Sequence, residues 1–198
     1  MIMNKVEQIR NSIVESISVK NKVLLDETIH KGIIEIANFM VETFKNKGTV
    51  LFCGNGGSAA DAQHLSAELS GRFKFDREPL DSDALHCNTS YLTAVANDYS
   101  YDQVYSRLVK AKIRKNNVLI GLSTSGNSKN VLEAFKIAKE KEAKTVLFCG
   151  EQIGKIEIET LPDIVVHVPS LDTARIQECH IMLGHIVCDL VEQHLFLK

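Results

Sequence analysis

The sequence lacks the features that would assign it to a membrane, secreted or nucleic-acid-binding class. No stretch approaches the roughly 20 apolar residues of a membrane helix, and the N-terminus, with Asn4, Lys5, Glu7 and Arg10, has no apolar signal-peptide core. Lysine and arginine form no basic stripe, and a formal net charge of -2 gives no field that attracts phosphate backbones. We therefore expect a cytoplasmic protein whose partners include neither a membrane nor a nucleic acid.

Cysteine and proline are also sparse. The five cysteines are widely spaced and never form a CxxC pair, so we expect reduced, structural thiols. Only three residues are proline and 44% are hydrophobic, a balance typical of a folded chain. At 198 residues the chain is of one-domain size, which predicts a single domain over residues 1–198.

The pattern of apolar residues changes near residue 48. In residues 1–47 they recur with helical spacing, for example at Ile29, Ile33, Ile36 and Met40, which predicts one or two amphipathic helices. Over residues 48–198, short apolar runs are followed by Gly or Ser and then by helical periodicity. This alternation is typical of parallel strand and helix units, so an α/β core follows the N-terminal helices.

Most of the predicted strands are too apolar to face water on either side, which indicates a parallel sheet covered by helices on both faces. The fold class predicted is α/β, a three-layer α/β/α sandwich with a central parallel sheet of about five strands. The strands are expected at Thr49 to Cys53, Ala84 to Cys87 (the weakest), Val118 to Leu122, Thr145 to Cys149 and Ile164 to Val168. The helices are expected at Gly57 to Gly71, Tyr91 to Ile113 (which an interruption around Asn97 would divide), Asn130 to Lys141 and Thr173 to Phe196.

A glycine-rich turn, CGNGGSAAD, follows the first predicted strand. Gly54, Gly56 and Gly57 remove side chains where the backbone turns, so that amide groups at the helix start can face an anion or a polar ligand. Gly54, Gly56 and Ala59 also satisfy the dinucleotide fingerprint GxGxxG/A, but no acidic residue ends the run at Cys87 to hold a ribose. A ligand-binding turn is favoured over a dinucleotide site and over a turn without a ligand.

A serine-rich turn, STSGNSKN, spans residues 123–130 after the third predicted strand. Its hydroxyls, its glycine and the helix start behind it would form a neutral cradle for a phosphate monoester. The turn has no Gly-Lys-Ser/Thr, which argues against a nucleotide triphosphate and favours a sugar phosphate. Simple capping by Asn127 or Ser128 is the alternative, but a cap requires one such residue and not four hydroxyls.

Metal-ligand types occur on two predicted helices. His64 and Glu68 are four residues apart and project from one helix face, with Asp61 on the same side, although such a pair also occurs on solvated faces. The largely apolar C-terminal helix carries Gln177, His180 and His185, and buried polar groups need partners such as a metal. Gln177 and His185 are separated by about 12 Å along an ideal helix, so their side chains would have to converge, or ligands would come from more than one subunit.

The motifs CGNGGS, DAxHxxxE, LSxSGNS and RIQExH, in this order and spacing, resemble the phosphoheptose isomerases of the sugar isomerase (SIS) superfamily over nearly the whole chain. The resemblance implies a homotetramer that converts sedoheptulose 7-phosphate to D-glycero-D-manno-heptose 7-phosphate, the first step of nucleotide-activated heptose biosynthesis. It also implies one zinc ion per subunit, held by His64, Glu68, Gln177 and His185. The implied substrate-binding residues are Asn55, Gly56, Gly57, Asn97, Asp98, Ser123, Thr124, Ser125, Ser128 and Gln177.

The implied reaction moves a proton between C1 and C2 of a sugar through an enediol, which needs an acid and a base. Glu68 and His185 are the expected catalytic pair, because a carboxylate can take a carbon-bound proton and an imidazole can exchange protons with sugar oxygens near neutral pH. The residue types do not assign the two roles. The alternative is a non-catalytic SIS adaptor or a sugar-phosphate-binding regulatory protein, which the presence of all four ligand-type residues disfavours.

Overall fold

The helices and strands follow one another as an N-terminal helical pair and then an alternating core. The computed structural model describes residues 4–151 and 160–197, so residues 1–3, 152–159 and 198 of the predicted domain lie outside the described residues. The elements are α1 (Lys5–Leu25), α2 (Glu27–Lys45), β1 (Val50–Gly54), α3 (Gly57–Ser70), β2 (Ser82–Ala84), α4 (Thr89–Asp98), a 3-10 turn (Tyr101–Gln103), α5 (Val104–Lys112), β3 (Val118–Leu122), α6 (Lys129–Glu140), β4 (Lys144–Gly150), β5 (Ile164–Val168) and α7 (Thr173–Phe196).

The strands form one parallel sheet in the order β2-β1-β3-β4-β5. The chain moves outward from β1 to β2 and then returns to the other side of β1 as β3. The connections at the carboxyl ends of β1 and β3 therefore leave in opposite directions, and ligands of open α/β sheets bind in the crevice at such a switch point. The register pairs Gly54 with Leu122, so the glycine and serine turns begin side by side.

Two apolar layers lie on the two faces of the sheet. Phe52, Ile120 and Phe148 pack into a cluster with residues of α1, α2, α3 and α7. Leu51 and Leu119, the neighbours of these residues along the strands, pack into a second cluster with α4, α5 and α6. This alternation of buried side chains confirms the three-layer α/β/α architecture and the parallel sheet of five strands.

The start of α7 is fixed by a side-chain cap. The Asp172 carboxylate accepts hydrogen bonds from the backbone N–H groups of Ala174 at 2.8 Å and Arg175 at 3.1 Å. Such a cap satisfies N–H groups that have no partner within the helix. It sets the first turn of the helix that carries Gln177 and His185. None of the described helices is long and apolar enough to cross a membrane.

One predicted element is corrected and another is confirmed in detail. The weak strand expected at Ala84 to Cys87 is displaced, because the residues that pair with β1 are Ser82, Asp83 and Ala84. This edge strand has a neighbour on one side alone, so polar residues that are half-buried are tolerated in it. The long helix expected from Tyr91 is divided after Asp98, which confirms an interruption near Asn97.

Candidate active site

The glycine turn is held in place by a small network of polar side chains. Asn55 and Asn130 exchange two amide hydrogen bonds, each 2.9 Å long, and the Tyr101 hydroxyl donates to Asn55 Oδ1 at 2.9 Å. The Tyr105 hydroxyl donates to the carbonyl of Gly54. These contacts join the end of β1 to the 3-10 turn, α5 and the first turn of α6. The Asn55 side chain is thereby oriented before any ligand arrives.

Two glycines of this turn are required by its geometry. Gly56 has a φ of 57°, a left-handed conformation that side chains disfavour. A Cβ on Gly54 would lie 2.6 Å from the carbonyl oxygen of Ser58 and 2.9 Å from that of Leu122. The backbones of β1, α3 and β3 therefore approach one another here more closely than any side chain would allow.

The serine turn has hydroxyl groups that do not serve as ordinary helix caps. Ser128 is the N-cap of α6 but makes no capping hydrogen bond with its side chain. Its hydroxyl lies instead 2.8 Å from that of Ser123, while the Ser125 hydroxyl accepts from the backbone N–H of Asn127 at 3.2 Å. Thr124 and Ser125 are half-buried. Capping alone thus does not explain this concentration of hydroxyls.

His64, Glu68 and His185 come together as the sequence led us to expect for a metal site. His64 Nε2 lies 2.9 Å from Glu68 Oε1 and 3.4 Å from His185 Nε2. One ligand atom from each of the three residues lies within 4.8 Å of the other two, and no other such group of histidine, cysteine or acidic residues occurs in residues 4–151 and 160–197. Two imidazoles and a carboxylate are ligands that zinc prefers.

The electrostatics of the cluster favour neutral imidazole at His185. Burial lowers the pKa of His185 below its ordinary value and the neighbouring His64 lowers it further, whereas Glu68 raises it. Burial raises the pKa of nearby Asp61, an effect that His64 opposes. A neutral imidazole can accept a proton or bind a cation, so the environment of His185 suits either role.

Gln177 lies at the glycine turn. A Cβ placed on Gly57 would be 2.6 Å from Gln177 Nε2, so the amide occupies the space that a side chain at position 57 would need. Gly57 precedes His64 by two turns of α3, and Gln177 precedes His185 by a similar distance on α7. In the structure Gln177, on the first turns of α7, therefore lies against the start of α3. Its role as a fourth metal ligand stays a prediction.

Asn97 and Asp98 are less integrated within this chain. Both are exposed at the end of α4, where the Asn97 amide donates to Asp98 Oδ1 at 2.9 Å. Within the described parts of the chain, no hydrogen bond joins either of them to the other predicted site residues. Their assignment to substrate binding likewise stays a prediction.

Sequence reasoning missed three residues that surround the cluster. The ring of Phe73 stacks on that of His185, with centroids 5.6 Å apart and planes at 20°. Arg77 and Glu192 form an ion pair of 3.0 Å whose side chains are 2% and 1% exposed. A signal existed for Glu192, since a carboxylate on a largely apolar helix needs a partner, but nothing in the sequence distinguishes Phe73 or Arg77.

The fold and the site correspond to a known class of protein. Residues 4–150 match the family model described as SIS domain. A match over this much of the chain shows that the chain belongs to the SIS domain family.

Relatives with known names narrow the class. The chain is 49% identical over 172 residues to the phosphoheptose isomerase of Helicobacter pylori (strain ATCC 700392 / 26695), covering 87% of this chain and 88% of the relative. The solved structure of phosphoheptose isomerase from Neisseria gonorrhoeae is 40% identical, with a TM-score of 0.86 over 96% of this chain and 100% of that one. The solved structure of a phosphoheptose isomerase from Francisella tularensis is 33% identical, with a TM-score of 0.90, and the match covers 96% of this chain and 100% of that one. Within the SIS domain family the chain is thus an isomerase that groups with the phosphoheptose isomerases.

Proposed function

We propose that the protein converts sedoheptulose 7-phosphate to D-glycero-D-manno-heptose 7-phosphate through an enediol, as the first step of nucleotide-activated heptose biosynthesis. The observation that carries this proposal is the cluster that Glu68 and His64 of α3 form with His185 of α7. His64 Nε2 lies 2.9 Å from Glu68 Oε1 and 3.4 Å from His185 Nε2. A carboxylate and two imidazoles in one cluster can supply both the proton-transfer groups and the cation ligands of a metal-dependent aldose–ketose isomerase.

The ligand set fits a zinc ion. His64, Glu68 and His185 would hold it, at one ion per subunit. Gln177, which lies at the glycine turn in this structure, is the proposed fourth ligand. When bound, the cation would stabilise negative charge on the sugar oxygens as the enediol forms. Its presence in this protein is part of the proposal.

The serine turn is the proposed phosphate site. Ser123, Thr124, Ser125 and Ser128 surround the start of α6, where backbone N–H groups and the helix dipole favour an anion. The glycine turn with Asn55, Gly56 and Gly57 would bind sugar hydroxyls, helped by Gln177, Asn97 and Asp98. Phosphate binding at one turn would orient C1 and C2 of the sugar toward the residues of α3 and α7.

The proton transfer is assigned to Glu68 and His185. In the ketose-to-aldose direction, a base removes a proton from C1, the C2 carbonyl oxygen gains a proton, the C1 hydroxyl loses one, and a proton is returned to C2. Glu68 and His185 are both close to His64, so either can reach the same region of a bound sugar. The order in which they act is left to experiment.

Self-association is also proposed, as a homotetramer. Helix α1 leaves apolar side chains in solvent, and those of Ile9, Val14 and Leu25 are 61%, 61% and 81% exposed. A groove formed by α1, α2 and α7 is lined by Leu24, Ile34, Ile186 and other apolar side chains. An apolar surface of this kind is typical of an interface between subunits. A cytoplasmic location is also proposed, because it follows from the proposed role in heptose biosynthesis.

The decisive experiment is incubation of the protein with sedoheptulose 7-phosphate in heavy water, followed by NMR of the product. We expect an aldoheptose phosphate that carries solvent deuterium at C2, because the proton exchanges at the enediol stage. Absence of any aldose product would refute the proposed function and favour the adaptor or regulatory alternative. Metal analysis of the purified protein separates the same two classes.

Glu68→Gln is the matched variant for this assay. The change removes a charge with little change in shape, so we expect kcat to fall by about 10²-fold or more while the unfolding midpoint stays close to that of the wild type. Wild-type turnover in this variant would remove Glu68 from the mechanism.

A further inference from the structure

The ion pair between Arg77 and Glu192 connects the two halves of the candidate acid–base pair. We propose that it is a positioning device, which fixes the turn carrying Glu68 and the aromatic ring against His185 in one geometry. This inference rests on the proposed function for its catalytic consequence. Among the described residues, neither member of the pair makes a hydrogen bond to the side chain of His64, Glu68 or His185, so the two are positioning residues.

Burial makes this pair unlike the other ion pairs of the described chain. Arg77 Nε lies 3.0 Å from Glu192 Oε1, and both side chains are almost wholly removed from solvent. Removing one partner from such a pair leaves the other as an uncompensated buried charge, whereas exposed pairs contribute little. The protein therefore maintains a costly pair at a specific place, between the segment after α3 and the last turns of α7.

Arg77 binds the end of α3. Its Nη2 donates to the carbonyl of Glu68 at 2.8 Å, and its Nη1 donates to the carbonyls of Leu69 at 2.8 Å, Gly71 at 3.0 Å and Glu78 at 3.1 Å. These carbonyls belong to the last turn of the helix and the segment that follows, where carbonyl oxygens have no helical partner and a cation is favoured. The guanidinium thus holds the backbone of the residue that we assign to catalysis.

Glu192 binds the segment that covers the other catalytic residue. Its carboxylate accepts hydrogen bonds from the backbone N–H groups of Phe73 at 3.2 Å and Lys74 at 2.8 Å. Phe73 in turn stacks on His185, with its ring centroid 5.6 Å from that of the imidazole. Glu192 follows His185 by seven residues, so the two lie on the same face of α7, two turns apart.

One buried ion pair therefore positions both candidate catalytic residues. The guanidinium fixes Glu68 through its backbone, the carboxylate fixes the ring that packs on His185, and the two charges bind each other. A displacement of about 1 Å in the position of a reacting group can lower a rate by about 10²-fold. Loss of the Arg77–Glu192 contact would accordingly change the catalytic geometry even where the protein stays folded.

Glu192→Gln is the test, because it keeps the shape and removes the charge. We expect kcat to fall at least 10-fold with KM changed less than about 3-fold, since substrate contacts at the two turns are untouched. We also expect the ring proton resonances of His185 to shift, because the ring current of Phe73 acts on them. Wild-type kcat together with an unchanged His185 resonance in folded Glu192→Gln would overturn the proposal.

Asp189→Asn is the matched control. Asp189 lies on the same helix and pairs with Lys74 of the same segment at 2.6 Å, but the Lys74 side chain is 56% exposed. We expect kcat within about 2-fold of the wild type and an unshifted His185 resonance, since exposed pairs contribute little. An equal loss in both variants would show that any contact between the segment and α7 suffices and would refute a specific role for the buried pair.

A second variant covers the case in which Glu192→Gln does not fold. Phe73→Leu leaves the ion pair intact and removes only the stacked ring, so we expect a folded protein with a shifted His185 resonance and kcat reduced at least 10-fold. Wild-type kcat in this variant would refute the proposal. The His185 resonance is measured without substrate, so it tests the positioning geometry even if the wild type fails to isomerise sedoheptulose 7-phosphate.

Discussion

The substitution Gly57→Ala is expected to disturb the geometry of the candidate site while leaving the stability of the fold almost unchanged. The new Cβ would lie 2.6 Å from Gln177 Nε2, 2.8 Å from its Oε1 and 2.9 Å from its Cδ. To restore an ordinary contact, the Gln177 amide must retreat by about 0.8 Å. Every atom in this clash belongs to the end of one flexible, half-buried side chain, so the backbone need not move.

The expected cost to stability is small and the expected cost to catalysis is large. An off-rotamer side chain costs about 0.5–1.5 kcal/mol. Alanine at a position whose φ it can adopt stabilises a protein by about 0.4–1 kcal/mol, because it restricts the unfolded chain, so the two effects nearly cancel. We expect the free energy of unfolding to change by less than about 1 kcal/mol. A misplacement approaching 1 Å at Gln177, a proposed substrate-binding side chain, should reduce kcat/KM by about 10²-fold.

Urea unfolding and steady-state kinetics with sedoheptulose 7-phosphate measure the two effects. Gly32→Ala is the control, because its Cβ would lie 3.7 Å from Ile164 Cγ2 and 3.8 Å from Val166 Cγ2, which are ordinary contacts. In a Gln177→Ala background the Gly57→Ala change should have no further effect, since its steric partner is gone. The reasoning is refuted if Gly57→Ala retains wild-type kcat/KM, or if its effect simply adds to that of Gln177→Ala.

Two further predictions concern the packing and titration of α7. Gly184→Ala places a Cβ 2.5 Å from Leu65 Cδ1 and 2.6 Å from its Cδ2 within the core. We therefore expect the free energy of unfolding, measured in urea, to fall by about 1–3 kcal/mol. A fall below about 0.5 kcal/mol would contradict this packing. Burial lowers the pKa of His180 from 6.5 to about 4, against the opposing effect of the Cys149 backbone. Because the unfolded chain binds this proton more tightly, stability is present above pH 6.5 and falls as the pH drops toward 4, by about 2 kcal/mol at pH 5. Between pH 7.5 and 5 the wild type should lose about 2 kcal/mol more stability than His180→Leu, in which the other titrating groups are retained. Equal losses in the two proteins would refute the prediction.

Much of the fold could be predicted because its signals are local. The strands Val118–Leu122 and Ile164–Val168 and the helix Thr173–Phe196 have the bounds that the apolar runs and their flanking turn residues indicate. The edge strand Ser82–Ala84 was displaced in the prediction, since the hydrophobic pattern follows burial and only Ala84 of its residues is buried. Apolar Leu85 lies just beyond the strand and still fills the core, which moved the predicted strand toward the C-terminus.

The candidate site was predictable only in part. The four-residue spacing of His64 and Glu68 places both on one helix face whatever the rest of the chain does, and their contact of 2.9 Å confirms this. The approach of His185, 121 residues later, depends on how α3 packs against α7. The resemblance of the motifs carried that information, because no rule of local structure gives the separation of two helices distant in sequence.

The buried pair of Arg77 and Glu192 shows what local reasoning leaves out. In the sequence each is one charge among many, and a charge is normally solvated. Glu192, however, follows Val191 on a helix where His180 and His185 already required partners, so the same reasoning applied to Glu192 would have called for a cation. Nothing local in the sequence singles out one of the 23 lysine and arginine residues as that cation. In the structure it is Arg77, from the irregular segment after α3, the longest of the described chain without helix or strand. A segment without helix or strand is thus tied to α3 and α7 through two charges, a long-range contact that no local pattern in its sequence indicates.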